Sequence, residues 1–247
     1  MKLEKISTRA PKGFIKERTK LKTIELAEKI GQLQNVLYAE SKHKILLLLQ
    51  GMDASGKDGT VKNVFRGINP LGCRVHAFKA PSTIERSHDF LWRIHPHVPP
   101  NGMIHIFNRS HYEDILVPTV HNLFSHEIIE RRYDHINNFE SLLKDSSTLV
   151  VKIFLHISKE EQAVRLKERK TNPEKYWKHN DGDAVERRSW DKYMKVYGEI
   201  FHRCSKPFPW HIIPADQNWY RDYLVAKIFL NELKKLKSEY PLMEVKK

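Results

Sequence analysis

From Ile45 to Lys57 the chain reads Ile-Leu-Leu-Leu-Leu-Gln-Gly-Met-Asp-Ala-Ser-Gly-Lys. An unbroken apolar run with no alternation predicts a strand buried on both faces, which belongs inside a parallel sheet. The run ends in a loop with glycines at Gly51 and Gly56, followed by Lys57, and a helix is predicted over about 59–68. In a strand, G-x-x-x-x-G-K loop and helix, the glycines let backbone N–H groups turn inward around phosphate oxygens. The lysine adds a point charge, and the helix aims its positive end at the same place. The predicted phosphate-binding set is Gly51, Met52, Ala54, Ser55, Gly56, Lys57, Asp58, Gly59 and Thr60, with Lys62 and Arg66 following on the helix.

Two acids make this loop unusual. Asp58 stands where Ser or Thr commonly follows the lysine, and Asp53 lies inside the loop itself. A carboxylate in an anion cradle repels phosphate at close range. It becomes favourable when a divalent cation lies between them, and magnesium is commonly shared between one or two carboxylates and substrate phosphates. Asp53 is therefore the expected magnesium-binding or magnesium-orienting residue. Asp58 either helps hold the ion or starts the helix, where acids are favoured.

Along the chain, residues 1–20 are basic and read as an exposed arm or an edge-wrapping segment. An amphipathic helix is expected over 21–42. Further strands are expected at Cys73–Lys79, Met103–Phe107, Leu149–Leu155 and Trp210–Ile213. Helices are expected at 84–94, 111–122, 125–144, about 187–204 and 218–237. Ser158 with Glu161 forms a capping-box pattern opening a helix to about Arg169. Alternating strands and helices argue for a central parallel sheet covered on both faces. The 51–57 loop and the residues after Phe107 should meet beyond the carboxyl ends of its strands, where ligands bind.

The second constellation is Phe107-Asn108-Arg109-Ser110-His111-Tyr112-Glu113-Asp114. Phosphate-loop enzymes commonly carry a metal-fixing acid after this strand. Asn108 cannot supply that charge, which puts more of the task on Asp53. Arg109 suits forked contacts with phosphate oxygens, although a local ion pair with Glu113 is an equal reading. Lys79, Arg86 and Arg93, with Lys62 and Arg66, read as solvated cations singly and as a track for a long anion together. Residues 165–192 are dense in Arg and Lys, including Arg165, Arg169, Lys178, Arg187 and Arg188, with Trp177 and Trp190 interspersed. The segment reads as a lid that closes over phosphates, as a stacking surface for single-stranded nucleic acid, or, for the tryptophans, as ordinary packing.

Composition sets the outer limits. The 247 residues carry a formal charge of +13, which favours a polyanionic partner over a neutral one. No apolar stretch approaches the roughly 18 residues of a membrane span. The N-terminus lacks a signal-like apolar run, and Cys73 and Cys204 have no metal spacing. A cytoplasmic protein with two unreactive thiols is expected.

The pieces Gly-Met-Asp-Ala-Ser-Gly-Lys-Asp-Gly-Thr (51–60), Phe-Lys-Ala-Pro-Ser (78–82) and His-Asp-Phe-Leu-Trp-Arg-Ile-His (88–95) are followed by three more. These are Phe-Asn-Arg-Ser-His-Tyr-Glu-Asp (107–114), Asn-Pro-Glu-Lys-Tyr-Trp-Lys (172–178) and Pro-Trp-His-Ile-Ile-Pro-Ala-Asp (209–216). In this order they resemble the polyphosphate kinase 2 family over about residues 15–237. The resemblance implies a P-loop kinase-like α/β/α sandwich with a helical lid at about 165–192, the whole of 1–247 forming one unit. It implies reversible, magnesium-dependent transfer of a terminal phosphoryl group between inorganic polyphosphate and a nucleotide, with manganese as a substitute ion. By that similarity Asp53, Lys57 and Arg109 match catalytic positions and Arg169 a lid arginine. Lys79, Arg93, Asn108, Arg109 and Glu113 form the expected nucleotide-binding set. Asn108 and Glu113 resemble the subgroup acting on both mono- and diphosphates. A homodimer or homotetramer is implied, with no membrane or nucleic-acid partner. An ATP-dependent nucleoside or nucleotide kinase, and a non-catalytic nucleic-acid-binding module, stay open as alternatives.

Overall fold

The structure is a computed structural model that describes residues 3–243; residues 1–2 and 244–247 of the expected 1–247 unit lie outside the described residues. Its centre is the predicted strand, β1 (Lys44–Gln50), in which Ile45 to Gln50 are all buried. Each of its five apolar side chains contributes about 1.5–3 kcal/mol by leaving water. Four more strands flank it: β2 (Cys73–Ala77), β3 (Ile104–Asn108), β4 (Thr148–His156) and β5 (Trp210–Pro214). The sheet order is β2-β3-β1-β4-β5 and every pairing is parallel. The chain fills one side of β1 first and then crosses to the other, which opens a crevice at the carboxyl ends of the central strands. The register sets Leu49 opposite Asn108, and the Arg109 N–H donates to the Leu49 carbonyl at 3.0 Å. The two sequence constellations therefore meet at the sheet edge where they were expected.

Helices pack on both faces. They are α1 (Lys16–Glu40), α2 (Lys57–Val64), α3 (Thr83–Arg86), α4 (Glu113–Val120), α5 (His126–Asp145), α6 (Lys159–Thr171), α7 (Gly182–Arg188), α8 (Trp190–Arg203) and α9 (Asn218–Lys235). α5 shows why such segments fold as they do. Ile129, Tyr133, Ile136, Phe139 and Leu143 recur every three or four residues and are buried, so one stripe faces the sheet.

Several boundaries differ from the sequence expectation. The helix expected over 84–94 stops at Arg86. Its Ser82–Glu85 capping box is present, but the Asp89 carboxylate then accepts from the N–H groups of Leu91 and Trp92 at 2.9 and 3.1 Å. That local turn outcompetes the helix, and Arg93, expected on the helix, lies beyond it. α1 begins at Lys16 rather than at 21. The N-terminal segment takes the edge-wrapping form: Leu3 is buried, Thr8 exchanges bonds with Asp216, and the Ala10 N–H donates to Gln217 Oε1 at 2.8 Å. The polar stretch 171–186 holds a 3-10 turn (Pro173–Lys178) and the start of α7. Ser158 caps α6 as expected, but the Glu161 carboxylate turns to Arg165 instead of closing the box. Trp190 packs into the core, whereas Trp177 is 76% exposed. Burial pushes the Cys73 thiol up to about 11 and the Cys204 thiol up to about 12, so both are poor nucleophiles at neutral pH.

Beneath the crevice, β4 and α5 share a buried ion pair. Lys152 donates to Glu140 Oε2 at 2.6 Å and to the Cys204 carbonyl at 2.7 Å, and Tyr112 Oη donates to Glu140 Oε1 at 2.7 Å. Removing one partner leaves a charge without compensation in the core. Lys152→Met is expected to lower unfolding free energy by about 3–5 kcal/mol, read from urea denaturation at fixed protein concentration.

Candidate active site

The loop after β1 is shaped by backbone conformations that few residues adopt. Gly51 and Gly56 have φ of +150° and +100°, and Ala54 has +62°. A Cβ at Gly56 would lie 1.8 Å from Arg221 Nη1, so glycine is required there for space as well as for φ. The N–H groups of Gly56, Lys57, Asp58 and Gly59 have no acceptor within α2, which leaves them available to an anion. Lys57 Nζ donates back to the Gly51 and Met52 carbonyls at 2.7 and 3.3 Å. Burial, reinforced by the Arg109 charge and opposed by Asp53, pulls its ammonium down to about 8.

Asp53 and Arg109 meet across the crevice, with Nη2 donating to Oδ1 at 2.6 Å. Arg109 itself sits at φ +66°, a strained turn that aims its guanidinium back at the loop. Burial pushes the Asp53 carboxyl up, but Arg109, Lys57 and Arg169 together hold it below its ordinary value. The ion pair expected as one reading between Arg109 and Glu113 does not form. With the Gln50 amide oriented to satisfy both of its ends, its nitrogen donates to Glu113 Oε1 at 2.9 Å and its oxygen accepts from Ser110. Burial raises Glu113 above its usual range despite Arg109 and Lys57.

Asp53, Arg109 and Glu113 line a cavity of about 830 Å³, whereas Lys57 lies outside its lining. Its polar end is formed by Gly51, Met52, Asp53, Arg109 and Glu113, and Asp183 and Glu186 face it from α7. Its other end is apolar, with Phe90, Leu116, Val117 and Phe124, and Arg132 stacks on Phe124 at 4.2 Å. Lys79 and Arg86 are exposed on its rim.

Not every predicted residue joins it. Lys62 on α2 and Arg66, which lies beyond the end of that helix rather than on it, are exposed and outside the cavity lining. Arg93 lines the cavity but is not a free cation. It is buried, paired with Asp114 at 2.9 Å, and donates to the Lys79 carbonyl at 2.9 Å. Asn108 turns away and donates to Asp58 Oδ1 at 2.8 Å, while Lys178 takes Asp58 Oδ2 at 2.8 Å. Asp58 therefore ties the end of β3 to the 165–192 segment, a role neither sequence reading gave it. Arg169 pairs with Asp183 at 2.8 Å, Arg187 donates to the Lys159 carbonyl at 3.2 Å, and Arg188 is exposed. Arg165, grouped with the lid cations, is held on the outside of the phosphate loop. Gln162 and Arg221 also bond loop carbonyls, those of Asp53 at 3.0 Å and Ser55 at 3.3 Å. Sequence reading missed both, because no local signal marks a residue that is far along the chain and reaches the loop only in the fold.

Among the described residues no group of three or more His, Cys, Asp or Glu side chains could hold a metal by itself. Asp53 offers Oδ2 beyond the oxygen that Arg109 holds. Such a donor set fits a hard cation that takes most of its shell from phosphate and water, not a protein-built cage.

A phosphate loop at the carboxyl edge of a parallel sheet, with an arginine facing it across a cavity, defines a phosphoryl-transfer site on a P-loop kinase-like fold. The sequence model of polyphosphate kinase 2 (PPK2) matches residues 14–241, and the chain belongs to that family. It is 49% identical over 220 residues to the AMP/ADP-polyphosphate phosphotransferase of Meiothermus ruber, covering 89% of this chain and 82% of the relative. It is 40% identical over 227 residues to the ADP-polyphosphate phosphotransferase of Rhodopseudomonas palustris, covering 87% and 78%. The crystal structure of polyphosphate kinase 2 from Arthrobacter aurescens TC1 superposes with a TM-score of 0.96 at 38% identity, covering all of this chain and 90% of that one.

The depressed Lys57 gives the site a pH dependence of known sign. The ammonium is present below about pH 8 and is lost as pH rises through that value, so phosphate binding is expected to weaken above it. Between pH 7 and 9 the ratio of wild-type to Lys57→Met affinity for tripolyphosphate is expected to fall roughly tenfold, as read by calorimetry.

Proposed function

We propose that this protein moves the terminal phosphoryl group of inorganic polyphosphate onto AMP and ADP. The reading is carried by one observation: a carboxylate, Asp53, stands inside a phosphate loop and is matched across the cavity by Arg109 at 2.6 Å. A purely nucleic-acid-binding surface has no use for that acid. The relatives named for polyphosphate phosphotransfer, one of them to AMP and ADP, support the donor and the acceptors. The transfer exchanges one phosphoanhydride for another, so it runs in either direction according to concentration.

Phosphoryl transfer needs alignment and neutralisation of charge on the moving group, not a covalent protein intermediate. The end of the polyphosphate chain lies in the 51–57 loop, where the free N–H groups and Lys57 hold it. Lys57 gives up the Gly51 and Met52 carbonyls for phosphate oxygens. Arg109 turns from Asp53 to the equatorial oxygens of the group in transit. The nucleotide occupies the cavity, with its base toward the apolar end and Glu113 and Lys79 near its phosphates. Asp53 would hold a magnesium ion, with manganese as a substitute, and the ion would neutralise charge on the phosphates. Arg169 and Lys178 exchange Asp183 and Asp58 for substrate oxygens as the 165–192 segment closes, and the remaining exposed cations extend the path of the polymer.

No helix among the described residues is long and apolar enough to cross a membrane, and we assign the reaction to the cytoplasm, where the nucleotides are. A homodimer or homotetramer is proposed from the family resemblance. Purified protein mixed with magnesium, polyphosphate and either AMP or ADP is expected to form ADP or ATP. Asp53→Asn should keep the fold and lower kcat by roughly a hundredfold or more. Near-normal turnover in that variant contradicts the role given to Asp53.

A further inference from the structure

Arg165 uses its whole guanidinium on the protein itself. Nε donates to Glu161 at 2.9 Å, Nη1 to the carbonyls of Ala54 and Ser55 at 3.0 and 3.3 Å, and Nη2 to those of Ala215 and Asp216 at 2.8 and 2.7 Å. An arginine has five N–H donors in a rigid fork, and all five directions are spent. None is left for a substrate phosphate. The side chain joins the phosphate loop, the end of β5 and α6 at a single planar group.

The loop needs such a joint. Ala54 is held at φ +62°, in the left-handed region that non-glycine residues rarely adopt. Such a conformation persists only where surrounding contacts impose it. Arg165 grips the carbonyl of Ala54 and the next one, and Gln162, one turn back on the same helix, grips that of Asp53. The far end of the joint is fixed too. Asp216 Oδ1 accepts from the Ser158 N–H at 2.8 Å and Oδ2 from Thr8 Oγ1 at 2.7 Å. Four residues after Arg165, on the same face of α6, Arg169 pairs with Asp183. One rigid helix thus both fixes the loop's carbonyls and carries the first cation of the closing segment.

We propose that Arg165 is a positioning residue that pre-forms the phosphate loop from behind, turning its carbonyls out so that its N–H groups face the donor phosphates. This inference rests on the phosphotransfer reading above. A single ammonium cannot span both chain segments, so lysine is not a conservative replacement here.

The test compares Arg165→Met and Arg165→Lys with wild type, well below their melting temperatures. Tripolyphosphate binding is measured by calorimetry with magnesium and no nucleotide, alongside steady-state transfer from polyphosphate to ADP. Both variants are expected to bind tripolyphosphate at least about tenfold more weakly and to lose at least about tenfold in kcat, with KM for ADP within about twofold. A merely structural role would lower the melting temperature and leave these constants in place. Folded Arg165→Met with tripolyphosphate affinity and kcat both within about twofold of wild type overturns the proposal. If Arg165→Met does not fold, Gln162→Met decides. It removes only the bond to the Asp53 carbonyl, and unchanged tripolyphosphate affinity in it overturns the proposal, whereas about threefold or greater weakening supports it. Wild-type protein that binds tripolyphosphate but transfers nothing to ADP or AMP refutes the phosphotransfer reading and leaves the binding comparison intact.

Discussion

The backbone carbonyls from Asp53 to Gly56 need partners behind their loop, because a carbonyl turned inward would repel the anion. Gln162 takes that of Asp53 and Arg165 those of Ala54 and Ser55, while Lys57 rests on those of Gly51 and Met52. Arg221 adds a second donor at Ser55, and the first intrahelical bond of α2 takes Gly56. The partners come from α2, α6 and α9, which approach the loop from different parts of the chain. The architecture around β1 can be understood as what is needed to bring those donors to one place.

A second constraint is electrostatic. Three cations of the crevice pair with acceptors of the protein itself. Arg109 lies on Asp53, Arg169 on Asp183 and Lys178 on Asp58. Leaving such groups unpaired in a half-buried cleft would be costly. In the proposed reaction, phosphate oxygens replace these acceptors one for one, so the net gain from each contact is a difference between two partners. Such an arrangement binds a long polyanion by exchange, and the excess of basic residues on the surface supplies the long-range attraction.

The sequence was most legible where local chemistry dictates local structure. The run Ile45–Leu49 could only be an inner strand, the glycines at 51 and 56 carry the φ values their positions demand, and the 51–57 loop meets the residues after Phe107 as expected, although the pairing of Asp53 with Arg109 was not foreseen. It was less legible where one turn competes with another. Asp89 ended a helix that periodicity extended, and Glu161 left its capping box for Arg165. Residues counted as free cations were misread for the same reason. Arg93 and Arg165 look like solvated charges in a linear chain, yet each is consumed by carbonyls and carboxylates from distant segments.

What the amino-acid order decided alone was the kind of chemistry: a cradle for phosphate, an acid that requires a cation beside it, and enough positive charge to favour a polymeric donor. Those properties are carried by residue types and short spacings, and they survive without knowledge of the fold. The three-dimensional arrangement decided which basic side chains remain available to a substrate and which are spent on holding the loop. That choice depends on where unsatisfied carbonyls of one segment meet donors of another, and no local pattern records it.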